Sequence, residues 1–296
     1  MDDDGRLRRF VENLGTILVL AVVGLPVSVV LLGVAGAVVL GFALPVSLLF
    51  AAIVLPTDPV AVLPIFEEVG APERLAVLVD CESMLNDGVG VVLYAAFLQV
   101  SLGAFESGAG PSTPTALGGL LLDLVVGIVV AMAGGVLVGA VVGTVVYGVI
   151  AAVDDELTTV ILSVVLAYGA FLLGETLGVS GVVAVVSAGL FIAEHRKYTT
   201  LSADSRLTFR VTWRSVAFIG NTFLFLTIGL VTPFDQLVRY ALPTGAAIVL
   251  VFAARAAVVY PLSALVNRSR LDGVPGPYQH VLVWSGIHVS IPLALV

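Results

Sequence analysis

The chain has 296 residues, of which 59% are hydrophobic and only 11% are charged, against about 25% charged residues in an average soluble domain. Its mean hydropathy is +1.13 and its net charge is −8. A water-soluble globule needs far more polar surface, which excludes a soluble enzyme, and the small number of basic residues excludes a nucleic-acid partner. Long apolar runs interrupted by glycine and proline indicate an all-α polytopic membrane protein.

Nine apolar segments are candidate transmembrane helices, because about 20 residues of helix cross the hydrocarbon core of a bilayer. The first contains Pro26, which predicts a tilted or kinked helix. We expect one membrane domain over 1–296, with a cytoplasmic segment of residues 1–13 preceding the helices of 14–296. The segments cover residues 14–40, 44–67, 74–100, 116–152, 157–173, 178–193, 211–231, 239–266 and 281–296.

Basic residues between the segments are strongly biased to one side of the membrane. With nine alternating spans, the side of the N-terminus carries ten of them and the opposite side carries only Arg239. The positive-inside rule then predicts a cytoplasmic N-terminus. The ten are Arg6, Arg8, Arg9, Arg74, Arg196, Lys197, Arg206, Arg210, Arg268 and Arg270.

The second segment contains two prolines around an acidic residue, in the stretch Pro56-Thr57-Asp58-Pro59. Each proline removes a backbone donor and clashes with a preceding carbonyl, so we expect the helix to break here. Freed backbone groups are tolerated at membrane depth only where they line a wet cavity or meet a ligand. Asp58 lies about 22 Å from the start of the segment. That depth favours a binding site over the alternative, a proline kink with a solvated aspartate.

The third segment has the densest polar cluster, Asp80-Cys81-Glu82-Ser83-Met84-Leu85-Asn86-Asp87. Ser83 and Asp87 are four residues apart, so one helix face can present a hydroxyl and a carboxylate to an ion. Glu82 points about 140° away from Asp87. The alternative, a helix start with solvated acids, accounts for Asp80 but not for the deeper Asp87.

One basic residue, Arg255, lies midway along the eighth segment. An unpaired buried charge is very costly, so we expect Arg255 to pair with Glu82. The ninth segment contains His288 among glycine, serine and proline, which predicts a second broken helix. A lone histidine there is more often a structural hydrogen-bond donor than a proton carrier.

Small residues form a stripe on the fourth segment, which predicts a helix-packing face rather than a chemical site. They are Gly127, Gly134, Gly135, Gly139 and Gly143.

The polar cluster contains hard oxygen ligands and no cysteine–histidine group, which suits small hard cations. A carboxylate that binds either a cation or a proton, but not both, would exchange one for the other. No nucleophile–base pair or metal triad is evident, so we do not expect an enzyme.

Thr57-Asp58-Pro59 followed by Glu82-Ser83-x-x-Asn86-Asp87 resembles the sodium/proton antiporters of the cation:proton antiporter family. The branch is that of archaeal NhaP-type proteins and animal sodium/hydrogen exchangers, and the resemblance extends along essentially the whole chain. It implies an inverted-repeat fold of thirteen helices, in which two discontinuous helices cross at the ion site. The second and ninth segments would be those two.

The resemblance also implies roles for the polar residues. Asp87 would bind the cation or the proton, and Thr57, Asp58 and Ser83 would complete the site. Asn86 stands where electrogenic relatives have aspartate, which implies one-for-one, electroneutral exchange of sodium or another monovalent cation for protons. Glu82 and Arg255 would be a structural ion pair.

Further implications concern the assembly and its location. The resemblance implies a homodimer in the lipid bilayer, with the plasma membrane of a prokaryote as its location, and no cofactor besides the transported ions. The resemblance implies that the nine segments match the fourth to twelfth helices of the family, the twelfth incompletely. The chain therefore looks truncated at both ends. The stretch Gly286-Ile287-His288-Val289 replaces the Gly-x-Arg-Gly of many relatives. The alternatives are an inactive remnant of such an antiporter and a cation channel.

Overall fold

A computed structural model of the chain describes residues 3–59, 62–107, 114–153, 155–195, 203–269 and 271–285. Every regular element in these ranges is helical, so the all-α prediction is confirmed. The elements are α1 (Asp3–Leu18), a π-helical segment (Val19–Gly24), α2 (Leu25–Leu40), α3 (Leu44–Val54), α4 (Leu63–Val69), α5 (Glu73–Ser107), α6 (Pro114–Ala152), α7 (Glu156–Thr176), α8 (Gly181–His195), α9 (Ala203–Val231), α10 (Phe234–Arg239), α11 (Ala241–Arg268) and α12 (Gly276–Trp284).

The first predicted segment is a continuous helical run that changes pitch before its proline. Pro26 lies in the first turn of α2, directly after the π-helical segment Val19–Gly24. A proline cannot donate to the carbonyl four residues earlier, and a wider π turn relieves the resulting clash. Gly41 ends α2 with a φ of 73°, a left-handed conformation that glycine adopts without strain.

The second segment is broken, as its prolines predict. Helix α3 ends at Val54 and α4 begins at Leu63, and the described residues between them, 55–59 and 62, are not α-helical. Helix α4 is short and ends at Val69, and it is capped by Gly70, whose φ is 66°. The break therefore lies within the polar stretch that contains Thr57 and Asp58.

The ninth segment differs from its predicted start. Helix α12 begins at Gly276 rather than at residue 281, because Pro275 precedes it and Pro277 occupies its first turn, where proline favours helix initiation. His288 and the stretch from Gly286 to Val296 lie outside the described residues, so the second break stays a prediction.

Six helices in the described part of the chain are long and apolar enough to cross a membrane. Two shorter apolar helices, Leu44–Val54 and Gly181–Ile192, correspond to two further predicted segments. The count of nine spans stays a prediction. The six long spans are Arg9–Leu40, Glu73–Gly103, Leu122–Ile150, Leu157–Thr176, Val211–Val231 and Ala241–Arg268.

The chain divides into two compact units, and the larger takes in Arg9–Val129 and Pro233–Val296. Within it, α2 packs along α3 and α11, and α5 packs against α3 and the π-helical segment. Its apolar core is built around a cluster of Leu20, Leu75, Val79, Val259, Val274, Leu282 and Val283. This unit contains all seven predicted site residues.

The smaller unit takes in Met1–Arg8 and Val130–Thr232. Helix α7 packs against α8 and α9, around a cluster of Val146, Ile150, Leu166, Ala170, Ala184 and Ala188. A Cβ added to Gly139 of α6 would lie 2.7 Å from the Cβ of Ser187, so the two helices approach closely. The small-residue stripe is confirmed as a packing face of this unit at Gly134, Gly135, Gly139 and Gly143.

Helix α7 begins with a capping aspartate. Asp155 accepts hydrogen bonds from the backbone nitrogen of Thr158 at 2.8 Å and from its Oγ1 at 2.7 Å. These two bonds stabilise the ionised carboxylate and hold the pKa of Asp155 below its ordinary value. The cap satisfies a backbone donor that the start of a helix otherwise leaves unpaired.

Candidate functional site

The break between α3 and α4 places Thr57 and Asp58 inside the protein, with 2% and 8% of their surfaces exposed. Leu55 still donates its backbone N–H to the carbonyl of Ala51, at 3.0 Å. Beyond it the helical ladder stops, because Pro56 has no N–H to continue it. The backbone of Thr57 therefore needs partners from another element.

Helix α5 supplies those partners through two side chains. The backbone N–H of Thr57 donates to Oδ1 of Asn86 at 3.3 Å. Ser83 Oγ donates to the carbonyl oxygen of Thr57 at 2.8 Å. Both backbone groups of Thr57 are thus satisfied by α5, which lets a non-helical segment persist at this depth.

The hydroxyl of Thr57 joins the same network. It accepts from Nδ2 of Asn86 at 2.6 Å and lies 2.7 Å from Oγ of Ser83. It also lies 3.3 Å from Oε2 of Glu82. Since Ser83 uses its single proton on the Thr57 carbonyl, the Thr57 hydroxyl donates towards Ser83 or Glu82. Four of the predicted site residues, Thr57, Glu82, Ser83 and Asn86, therefore form one hydrogen-bonded group.

Glu82 and Arg255 also meet in the structure, as the burial argument expects. Arg255 Nη2 lies 3.2 Å from Glu82 Oε2, and each side chain is only 7% exposed. The two residues are 173 positions apart in the chain. A buried ion pair of this kind is costly to break from one side, because the remaining charge has no compensation.

Arg255 has a second partner that sequence reasoning missed. Its Nε donates to the backbone carbonyl of Leu282 at 2.9 Å. Leu282 lies in the last turn of α12, where carbonyls lack helical partners and a cation is favourable. The partner is a backbone atom, so no residue type in the sequence signals it. Arg255 thereby connects α5 to the end of α12.

Asp87 follows Asn86 directly on α5. It is half-buried on α5, and its Oδ1 is buried with no hydrogen-bond partner among the described residues. Asp58 and Glu82 are close enough to interact with it electrostatically. A buried, unsatisfied carboxylate oxygen beside two other acids is unfavourable unless a proton or a cation neutralises it. Asp58, in contrast to Oδ1 of Asp87, already interacts with other groups of the protein.

The arrangement offers hard oxygen donors and little else. Asp58 directly follows Thr57 in the chain, and Asp87 lies one helical turn after Ser83 on α5. The hydroxyls of Thr57 and Ser83 each keep a second lone pair that accepts no bond in the network above. Such donors suit an alkali cation. Asn86 differs from the other predicted ligands, because both ends of its amide already contact Thr57.

Comparison with known proteins places this chain in a family. A family model described as the transmembrane sodium/hydrogen exchanger matches residues 6–296. The chain belongs to the sodium/hydrogen exchanger family.

Two relatives and one solved structure illustrate the similarity. The chain is 34% identical over 277 residues to the Na(+)/H(+) antiporter NhaG of Bacillus atrophaeus, covering 92% of this chain and 49% of that protein. It is 32% identical over 295 residues to the Na(+)/H(+) antiporter ApNhaP of Aphanothece halophytica, covering 98% and 53%. The chain thus spans about half the length of these curated relatives.

The fold is shared with the sodium proton antiporter MjNhaP1 of Methanocaldococcus jannaschii. The TM-score is 0.73 at 20% sequence identity, and the match covers 97% of this chain and 66% of that one. The predicted antiporter fold is therefore confirmed.

Proposed function

We propose that this protein exchanges sodium, or another monovalent cation, for protons across a membrane, with both ions competing for Asp87. The observation that carries the proposal is the buried Oδ1 of Asp87, which has no hydrogen-bond partner among the described residues. The names of the relatives support the same function, since NhaG and ApNhaP are called Na(+)/H(+) antiporters.

Competition for one carboxylate is sufficient for coupled exchange. Asp87 holds a proton or a cation, and each displaces the other. Asp58, Thr57 and Ser83 contribute oxygen ligands when the cation is bound, while Asn86 keeps the unwound segment attached to α5. One pH unit, worth about 1.4 kcal/mol, then holds a tenfold cation gradient.

The exchange is electroneutral in this proposal. The neighbour of Asp87 is Asn86, which cannot carry a second proton. One proton therefore replaces one monovalent cation, and no net charge crosses the membrane in a cycle.

The proposal includes an orientation and an assembly. The excess of arginine on the side of the N-terminus supports a cytoplasmic N-terminus in the plasma membrane. The active form is a homodimer in the bilayer, as the family resemblance implies. No cofactor takes part besides the transported ions.

The test uses everted membrane vesicles from a host that lacks its own sodium/proton antiporters. A respiration-generated pH gradient is established, and sodium is added while a fluorescent dye reports the gradient. We expect sodium to dissipate the gradient with the wild-type protein and to have no effect with Asp87→Asn. Asp123→Asn, the same substitution at an exposed residue of α6, is the matched control and should behave as wild type.

Three results would contradict the proposal. Exchange at the wild-type rate in Asp87→Asn would remove Asp87 from the mechanism, and sodium flux without proton movement would indicate a channel. A correctly inserted wild-type protein without any exchange would indicate an inactive remnant. Clamping the potential with valinomycin and potassium tests electroneutrality, since the rate should not respond to voltage.

A further inference from the structure

The loop that leads into α12 is held by side chains from three different helices. Three consecutive residues, Asp272, Gly273 and Val274, each have a backbone group bonded to one of these side chains; we call them the loop anchor. The bonds run from Thr16 Oγ1 of α1 to Asp272 O (2.9 Å), from Arg74 Nη2 of α5 to Gly273 O (2.8 Å) and from Val274 N to Asn267 Oδ1 of α11 (2.6 Å).

Among the three side chains that bond the loop anchor, Arg74 also contacts another helix. Besides the Gly273 carbonyl, its guanidinium donates through Nε to Oδ1 of Asn13, at 2.9 Å. Asn13 belongs to α1 and is only 2% exposed. One arginine thus joins α5, α1 and the loop anchor, and the planar guanidinium holds both acceptors in fixed directions.

The position of Arg74 within its own helix is unfavourable. It is the second residue of α5, where the helix dipole favours acidic side chains and disfavours cations. Glu73 suits that position, and Arg74 does not. An arginine at this place contributes to the protein through its tertiary contacts rather than through the stability of α5.

The far end of α12 is connected to the same helix. Arg255 bonds the carbonyl of Leu282 and pairs with Glu82 of α5. Arg74 and Glu82 are eight residues apart, about 12 Å along α5. Helix α12 has nine residues, about 13 Å of helix. Helix α5 is therefore connected to both ends of α12. Arg74 bonds the loop that precedes α12, and Glu82 pairs with Arg255, which bonds the last turn of α12.

We propose that Arg74 is a positioning residue that fixes α12 against the ion-site helix α5 through the loop anchor. This inference rests on the proposed function for its transport readout. With Arg74 in place, α5 and α12 shift as one piece, and the surroundings of Asp87 keep their geometry. Without it, the loop anchor keeps its bonds to Thr16 and Asn267 but loses its bond to α5, while the end of α12 stays bonded to Arg255.

Transport kinetics give the first test. Arg74→Ala should raise the apparent KM for sodium by about tenfold, the effect of losing a charged hydrogen bond, with a smaller change in the maximal rate. Arg74→Lys should have an apparent KM between those of the wild type and Arg74→Ala, because an ammonium group reaches one acceptor and cannot bond both. Arg268→Ala is the matched control, since Arg268 is exposed at the end of α11 and should leave the kinetics unchanged. Equal kinetics in Arg74→Ala and Arg268→Ala would overturn the proposal.

A cross-linking rate gives a readout that does not depend on transport. A Cβ added at Gly15 of α1 would lie 2.5 Å from Leu271 Cδ2, so cysteines at both positions should form a disulfide rapidly. The pair Gly15→Cys/Leu271→Cys is made in a Cys81→Ser background, which removes the natural thiol. We expect oxidative cross-linking in membranes to slow about tenfold when Arg74→Ala is added and to stay unchanged with Arg268→Ala.

The two readouts separate the possible failures. If the wild-type protein shows no exchange, the proposed function is wrong, and the cross-linking rate still decides whether Arg74 holds the loop anchor. If Arg74→Ala does not insert, Arg74→Lys keeps the charge but reaches at most one of the two acceptors, and it should slow cross-linking in the same direction. An unchanged cross-linking rate in the variant that inserts would overturn the positioning role.

Discussion

The polar cluster that joins Thr57 to α5 and the packing face of α6 are two ways of burying helices within a membrane protein. Around Thr57 the contacts are polar, and every backbone group of that residue meets a side chain of α5. On α6 the contacts are apolar, and Gly139 lies so close to α8 that an added Cβ would meet backbone atoms of that helix. The larger unit contains the first region and the smaller unit contains the second.

The two regions differ in whether ion or proton binding can alter their energy. Close glycine packing depends on shape alone, because lipid tails are as apolar as the helices and provide no hydrophobic driving force. Its glycines carry no group that ionises. The polar cluster instead depends on charge and protonation, so binding a cation or a proton alters its energy. The candidate site residues therefore belong to the polar region, and the glycine face serves helix packing.

The largest expected effect comes from breaking the buried ion pair. Glu82→Ala or Arg255→Ala alone should lower the free energy of unfolding by about 3–5 kcal/mol, because each leaves an unpaired buried charge. The double variant should lose much less than the sum. Thermal unfolding in detergent, followed by size-exclusion chromatography, measures the cycle.

The exposed ion pair of the same unit is a control for that cycle. Arg9 Nε lies 3.1 Å from Glu73 Oε2, with side chains 42% and 29% exposed. A cycle of Arg9→Ala and Glu73→Ala should give a coupling below about 1 kcal/mol. Additive effects at Glu82 and Arg255 would mean that the buried pair contributes no more than the exposed one.

A smaller effect should come from filling the glycine face. Gly139→Leu places a large side chain against the Cβ of Ser187, 2.7 Å away, and the backbone nitrogen of Ala188, 2.9 Å away. Overpacking of this kind costs about 1–3 kcal/mol, which detergent unfolding should detect. Gly148→Leu is the control on the same helix, since no neighbouring element among the described residues comes within 4 Å of a Cβ there. Equal stability of the two variants would contradict close packing on this face.

The smallest effect concerns the cap of α7, which is an exposed hydrogen bond rather than a buried polar or glycine contact. The pKa of Asp155 is lowered by its bonds to Thr158, so the carboxylate stabilises the fold when ionised. Asp155→Ala should lower the melting temperature slightly at neutral pH. The difference from wild type should shrink as the pH falls below 3.8, the ordinary pKa of an aspartate, because protonation weakens the cap. A difference that grows under acid conditions would contradict this assignment.

Much of the larger unit follows from local sequence. The prolines at 56 and 59 predict the break between α3 and α4, because proline disrupts a helix wherever the chain folds. Burial of charge predicts that Glu82 and Arg255 meet, since neither tolerates isolation. The boundary of α12 was predicted less well, because apolar residues begin at 281 while the helix starts at the proline-containing turn of residues 275–277.

The sequence by itself determined the class of protein, its all-helical fold, the break at Thr57 and the pairing of Glu82 with Arg255. Each of these depends on residue type and spacing, which are local properties of the chain. Only the tertiary structure decided which freed backbone groups meet which side chains. Ser83 bonds the Thr57 carbonyl, Arg255 bonds that of Leu282 and Arg74 bonds that of Gly273. Backbone carbonyls are the same at every residue, so their partners are chosen by how distant helices pack.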